Sequence, residues 1–533
     1  MRTSRTTGSV GAVALSALLL LSQGCTDLSE HPTSLITPDN FYQTEEEVMG
    51  GLASIYSGLR ATLWGYYNLS EVSTDEMIVP TRGSDWYDGG RWLEMHYQTW
   101  APNNSSGQDI NGAWNDAFGA VARANVLLEV LPNIAVANKE VVEAEVRTLR
   151  AFYYYVLMDL FGGVPVVETT EIMPREAASR AEVFAFIESE LQATRGVLPA
   201  VWPASMHGRM TSGAANAILA SLYLNAEVFT GTVSATGLQR GTARWQDAID
   251  AADAILNSGE YALADDFGDN FAPDNHLSPE HILVIKNVAQ SGFGFDNHFF
   301  YRAMHYNSGI GGGWNGFSTL AETYYAFDTA SVETLTVPGT SQQADILHSN
   351  DLRHDIFLAG QHYNVETGEA VNDRANLPLF FTPEILNETQ AHEREGVRIY
   401  KWPVDPAREG NTHGNDYAIF RLAEIYLIKA EAMNELAQTP GAIALLNLVR
   451  ERAFDPDRPI PTTLSQAEAR DRIQRERLFE LTAEGKRRQD LIRWDRFTDP
   501  WTHKDQREPY RILMPIPQTQ RDANPLLKQN PGY

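Results

Sequence analysis

The stretch Glu476 to Trp494, ERLFELTAEGKRRQDLIRW, limits the folds open to this chain more than any other. It is dense in charge and in large apolar side chains at once. Ile473, Leu478 and Leu481 recur at helical spacing, so one face has to be buried. Glu476, Glu480 and Glu484 lie four apart, and like charges sharing a helical face repel unless neutralised. Arg472, Arg477, Arg487 and Arg488 stand near them in sequence and are the expected counter-ions. Gly485 is expected to end the helix, since glycine just past a terminus takes the left-handed conformation readily. A second short helix carrying Asp490, Leu491 and Trp494 then folds back. A catalytic carboxylate pair is the rival reading. Arginine neighbours keep carboxylates ionised and make them poor general acids, which favours an internal ion network locking two helices.

Helical periodicity recurs along the chain. Glu45 to Leu63 sets Val48, Leu52, Ile55 and Leu59 on one stripe. Further helices are expected over 114–131, 141–161, 181–198, 211–227 and 245–258, closed by Pro132, Gly162-Gly163, Pro199 and Gly259. Residues 261–411 are rich in Gly, Pro, Asn and aromatics and read as long loops, with HILVIK (His281 to Lys286) as a strand. Long structured loops of this kind usually carry function. Helix returns over 416–436, apolar nearly all round, and pairs with 442–452. Ser465 and Glu468 have the spacing of a capping box. Successive helix pairs at this spacing look like tetratricopeptide units.

Several separated motifs resemble the SusD/RagB family of outer-membrane nutrient-binding lipoproteins. They are the opening stretch, the tail MPIPQTQRDANPLLKQNPGY, the helix ending EVRTLRAFYYYVLMDLFGGVPVV, HGRMTSGAANAILASLYL and RLAEIYLIKAEA. Family members commonly have Glu where Gln520 stands. The resemblance implies a mainly α fold: tetratricopeptide-like helix pairs forming a right-handed superhelical scaffold, with long loops and a few short strands as the ligand face. It divides the chain into a signal peptide (1–24), a tether (25–40), a helical part (41–260) and a SusD/RagB-like part (261–533). That last part is loop-rich over 261–411, helical over 412–498 and a tail over 499–533.

The start of the chain agrees with this. Arg2 and Arg5 precede an apolar run, Val10 to Leu21, that is too short to span a bilayer. The single cysteine, Cys25, follows Gly24, so no intrachain disulfide forms and lipidation at Cys25 is expected. Ser22 occupies the place where a lipoprotein signal usually has leucine. Two or more acyl chains would give a stable anchor. Acidic residues outnumber basic ones, 69 to 42, for a net charge of −27. That excludes a nucleic-acid partner, which needs a basic footprint.

The aromatic content points to a ligand surface. Trp64 to Trp114 holds five of the eleven tryptophans, on a stretch broken by Pro80, Gly83, Gly89, Gly90 and Pro102. Rings on loops pack against sugar C–H faces while neighbouring polar groups bond hydroxyls. Asp75, Arg82, Trp86, Tyr87 and Trp92 are the candidates there. Tyr301, Trp314 and Asn315, from the Gly-rich run 293–317, are the candidates from the second loop region, where the resemblance also places ligand aromatics. No zinc spacing, GxSxG elbow or phosphate loop is present. Asp265, Asp266, Asp269 and Asn270 are a candidate calcium turn that does not match an EF-hand loop.

The resemblance implies a surface lipoprotein that captures an oligosaccharide without chemistry. It would pass the ligand to a SusC-like TonB-dependent transporter. Peptide capture is the nearest alternative. A helical glycoside hydrolase using Asp75, Glu76 and Asp85 across a cleft is the alternative of another class. A helical scaffold that binds only protein is a third, in which the loop aromatics would be buried.

Overall fold

Three of the helices begin at a capping box written in their sequence. The computed structural model describes residues 41–290, 298–309, 311–410 and 412–533, so the expectations for the signal, Cys25 and the tether to Asn40 lie outside the described residues. Thr44 accepts from Glu47 N while the Glu47 carboxylate accepts from Thr44 N, and α1 (Glu45–Ala61) follows. Such a cap contributes about 1 kcal/mol. The same box, with Ser179 and Glu182, starts α6, and the expected Ser465–Glu468 box starts α12.

The elements in chain order are α2 (Gly65–Glu71), β1 (Met77–Ile78), α3 (Arg91–His96), α4 (Gly107–Val130), α5 (Lys139–Phe161), α6 (Arg180–Thr194), α7 (Ser212–Leu224) and α8 (Trp245–Leu256). After them come β2 (His281–Ile285), α9 (Phe299–Ala303), β3 (Ser318–Thr319), β4 (Thr329–Thr336), β5 (Gln343–Ser349) and β6 (Tyr417–Arg421). The chain then returns to helix in α10 (Leu422–Glu435), α11 (Thr439–Glu451), α12 (Gln466–Leu481) and α13 (Arg487–Arg493).

Helices pack on their sequence neighbours, α4 on α5, α5 on α6, α7 on α8, α10 on α11 and α12. α1 packs on α4, and α8 joins the two halves through α10. The result is a mainly helical scaffold of successive pairs. Ala423, Leu427, Ala430, Leu446, Ile473 and Leu481 form the apolar core under α10–α12. Each leucine or isoleucine among them contributes about 1.5–3 kcal/mol on leaving water, before entropy is counted.

Two expectations change. The run 416–436 is not helical from its start: Tyr417–Arg421 is the strand β6, antiparallel to β2 with Tyr417 opposite Ile285. And α12 ends at Leu481, with Thr482 extended and Ala483 at φ +65°, four residues before Gly485.

The ion network around α12 is real, but its counter-ions are not the sequence neighbours. Arg353 bonds Asp351, Glu476 and Glu480, and Arg421 bonds Glu280, Glu480 and Glu484. Arg450 bonds Glu476, Arg452 bonds Glu280 and Glu480, and Lys401 bonds Glu484 at 2.5 Å. Five cations thus meet five carboxylates, and the buried cluster is neutral. Burial alone would raise Glu480, but Arg452, Arg421 and Arg353 override it and hold it far below the carboxylate range. Arg472 is exposed. Arg477 pairs with Asp490, Arg487 with Asp75, and Arg488 with Asp159.

Candidate functional site

The two aromatic loop regions meet because β1 pairs with β3, Met77 opposite Thr319 and Ile78 opposite Ser318. β1 leads into the loop carrying Trp86, and β3 follows directly on Trp314. Between the loops sits Arg82, buried. Its guanidinium donates to the Asn315, His392 and Glu395 carbonyls and to the Ser318 hydroxyl, at 2.6–2.9 Å. Arg398, also buried, donates to the Asn315 side-chain oxygen and the same Ser318 hydroxyl. Neither guanidinium forms an ion pair among the described residues. Burial pushes Arg82 down to about 10 and Arg398 well below its usual value. Asn315 sits at φ +52°, buried, with its amide donating to the Glu393 carbonyl.

This clamp fixes Trp86. Its backbone has φ +62°, a rare conformation for a bulky residue. Two contacts hold it there. Its indole N–H donates to the Trp314 carbonyl at 2.7 Å, and its ring lies against Gly316, where an added Cβ would come within 2.3 Å of the ring. Trp86 and Trp92 meet edge to face at 5.2 Å, and both meet Phe317. A second row runs Trp64, His298, Trp314, Tyr301, with centroids 5.2–5.9 Å apart. Arg302 lies over Trp64 at 4.2 Å.

The nominated residues therefore fall into two groups. Tyr87 is 58% exposed, and Trp86 and Trp314 are half-buried. These three present ring surface. Trp92 is buried: the six-residue α3, absent from the sequence expectation, turns it inward, where its N–H donates to Asp88 at 2.7 Å. Tyr301 is also buried, its hydroxyl 3.2 Å from His413. Arg82 and Asn315 have their polar atoms taken by the clamp, and Asp75 is held by both Arg487 nitrogens at 2.7 Å. Trp92, Tyr301, Arg82 and Asn315 are thus buried, and Asp75 is tied to Arg487.

Sequence reasoning passed over three members of the same neighbourhood. Trp64 is half-buried beside His298. Tyr306 donates to Asp85 at 2.5 Å, and burial and that carboxylate raise it to about 12. Arg374, 54% exposed at its side chain, lies over Tyr306 at 4.4 Å and bonds Asp85 and Glu393. Tyr306 stands inside the aromatic run already singled out. Arg374 has no local signal, since its partners are distant in sequence.

The carboxylates named for a hydrolase, and two residues of the candidate calcium turn, are engaged within the protein. Glu76 is buried and accepts from Ala483 N, Asp75 is clamped by Arg487, and Asp85 is occupied by Tyr306 and Arg374. Asn270 is buried, donating to Glu280 and accepting from Ser278, and Asp266 accepts from Gly268 N. Among the described residues no group of three or more His, Cys, Asp or Glu is arranged to hold a metal ion. No described helix is long and apolar enough to cross a membrane.

Comparison with known proteins agrees with this architecture. Residues 279–509 match the model of the SusD family. Residues 48–224 match a second model, described as starch-binding and associating with the outer membrane. A SusD-like protein of Formosa agariphila is 24% identical, over 95% of this chain and 96% of its own. The starch-binding protein SusD of Bacteroides thetaiotaomicron is 25% identical over 88% of this chain and 85% of its own. Among solved structures, surface glycan-binding protein A of Bacteroides thetaiotaomicron, in complex with laminarihexaose, superposes with a TM-score of 0.68. It is 21% identical and covers 92% of this chain and all of its own. With both halves of the described body matched in one order and one fold, the chain belongs to the SusD/RagB family.

Proposed function

We propose that the face presenting Tyr87, Trp86 and Trp314 binds a glycan at the cell surface. The observation that carries this reading is the locking of two distant aromatic loops into one exposed face by the Trp86–Trp314 hydrogen bond. Sugar C–H faces stack on such rings, while neighbouring polar groups bond hydroxyls. The relatives named for starch and solved with laminarihexaose support the choice of glycan over peptide. Binding proceeds with no bond made or broken. The protein is a lipoprotein anchored through Cys25 and exposed on the outer membrane, and it delivers its ligand to a SusC-like TonB-dependent transporter.

The test is calorimetric titration of unlipidated protein with laminarihexaose, maltohexaose and a peptide pool. Each ring contributes about 0.5–1.5 kcal/mol beyond its area. Trp314→Ala is expected to weaken the preferred glycan about tenfold, and Tyr87→Ala a few-fold. Unchanged affinity in both variants, or saturable binding of peptides alone, rejects the reading. Co-purification of a barrel partner from outer membranes tests the delivery step.

A further inference from the structure

A concavity lies against α1. A hollow of about 310 Å³ opens between α1, the turn His207–Arg209 and β2. It shares no lining residue with the aromatic face. Its floor is apolar: Leu52 and Leu59 from α1, Val284 and Ile285 from β2. Gly208 lets the turn approach β2, since an added Cβ there would sit 3.3 Å from the Lys286 Cβ.

The charge around this hollow is unlike the rest of the molecule. Arg60, Arg209 and Lys286 line it, and no carboxylate does among the described residues, in a chain of net charge −27. Arg209 is spent: Glu145 holds it, and it stacks on Trp202 at 4.1 Å. His207 is spent on Asp416 at 2.7 Å. Arg60 and Lys286 are not. Arg60, half-buried, donates to the Lys286 carbonyl at 2.8 Å, and neither cation forms an ion pair among the described residues. Two cationic residues therefore line a hollow with an apolar floor; neither is closed into an ion pair among the described residues, and the charge of Asp416 reaches Arg60 only through space.

We propose that this hollow binds a small organic carboxylate, its apolar body on Leu52, Leu59, Val284 and Ile285 and its carboxylate held by Arg60 and Lys286. The volume suits roughly ten water-sized groups, the size of an arylacetate, and sits at the small end of ligand cavities. A guanidinium matches a carboxylate with paired donors, and the apolar floor strengthens that bond by excluding water. A bare inorganic anion would leave the floor uncovered, and a neutral body would leave both cations unanswered. The ligand class follows from needing both halves.

The experiment is an NMR titration of the intact protein with phenylacetate, and with 2-phenylethanol as its neutral counterpart, following the Met49 methyl at the rim. Saturable shifts with phenylacetate, at least about tenfold weaker binding of the alcohol, and weakening by salt are expected. Arg60→Gln is expected to raise the Kd about tenfold. Lys286→Gln, at an exposed position that leaves the fold intact, is expected to raise it about threefold. Glycan affinity at the aromatic face should not move in either variant. No saturable shift at millimolar phenylacetate, equal binding of the alcohol, or a Lys286→Gln Kd equal to wild type overturns the proposal.

Discussion

Replacing Arg82 by lysine keeps the charge and removes the fork. In the native protein the guanidinium reaches four oxygens at once, those of Asn315, His392, Ser318 and Glu395. An ammonium on a single centre satisfies two of these at best. A hydrogen bond to a charged group contributes at least about 1.5 kcal/mol, so two lost bonds cost about 3 kcal/mol. For a unit of roughly 500 residues, whose unfolding entropy is near 2 cal/mol/K per residue, that is a fall of about 3 °C in Tm. Calorimetry measures it. A laminarihexaose titration of the same variant reads the second effect: the loops bearing Trp86 and Trp314 lose register, and affinity drops with the midpoint. An unchanged midpoint together with lost affinity would refute the positioning role and make Arg82 a direct ligand contact. If neither changes, the clamp does not set the face.

Three further outcomes follow from the buried charges. Arg421→Ala leaves Glu280, Glu480 and Glu484 short of a cation and is expected to cost about 3–5 kcal/mol; the exposed pair Arg458–Asp328 serves as control, with Arg458→Ala costing under about 1 kcal/mol, and equal losses in denaturant titrations would contradict the network. Burial, then the charge of Glu76, raises Glu71 well above the carboxylate range, and burial raises Glu76 to about 7. The folded state thus holds extra protons, and stability falls as pH rises from the ordinary carboxylate value toward about 7. Glu71→Gln should flatten Tm between pH 5 and 8, and a wild-type profile with no fall in that window would sink the assignment. On the acid side Glu280, Glu480, Glu484 and Asp490 are held low, by Arg452, Arg421 and Arg477 among others. Their stabilisation is complete above the ordinary carboxylate range and is lost as pH falls through the lower folded values, visible as a steep acid limb in a pH–Tm profile.

The scaffold was readable from the chain because helices write their period locally. The stripe of α1 and the box at Ser465 are statements about residues three or four apart. The strand β6 was missed for the same reason: Tyr417–Arg421 is buried on all sides, and an all-round apolar run has the same sequence signature in a strand as in a helix. Counter-ions are not local. Glu480 meets Arg353 across 127 positions and Arg421 across 59, so proximity in sequence misled. The site was legible as two loop regions and no further. Trp92 and Trp86 lie six positions apart on the same loop, yet a single turn of helix sends one inward and leaves the other's edge outside.

The contact between Trp86 and Gly316 has a consequence for selectivity. A ring wedged over a bare α-carbon, with its only polar atom already committed, has nowhere to swing. The stage is assembled during folding, so a ligand need not spend affinity on stiffening it. The same stiffness removes accommodation at Trp86: a chain whose curvature does not follow that ring cannot make it turn.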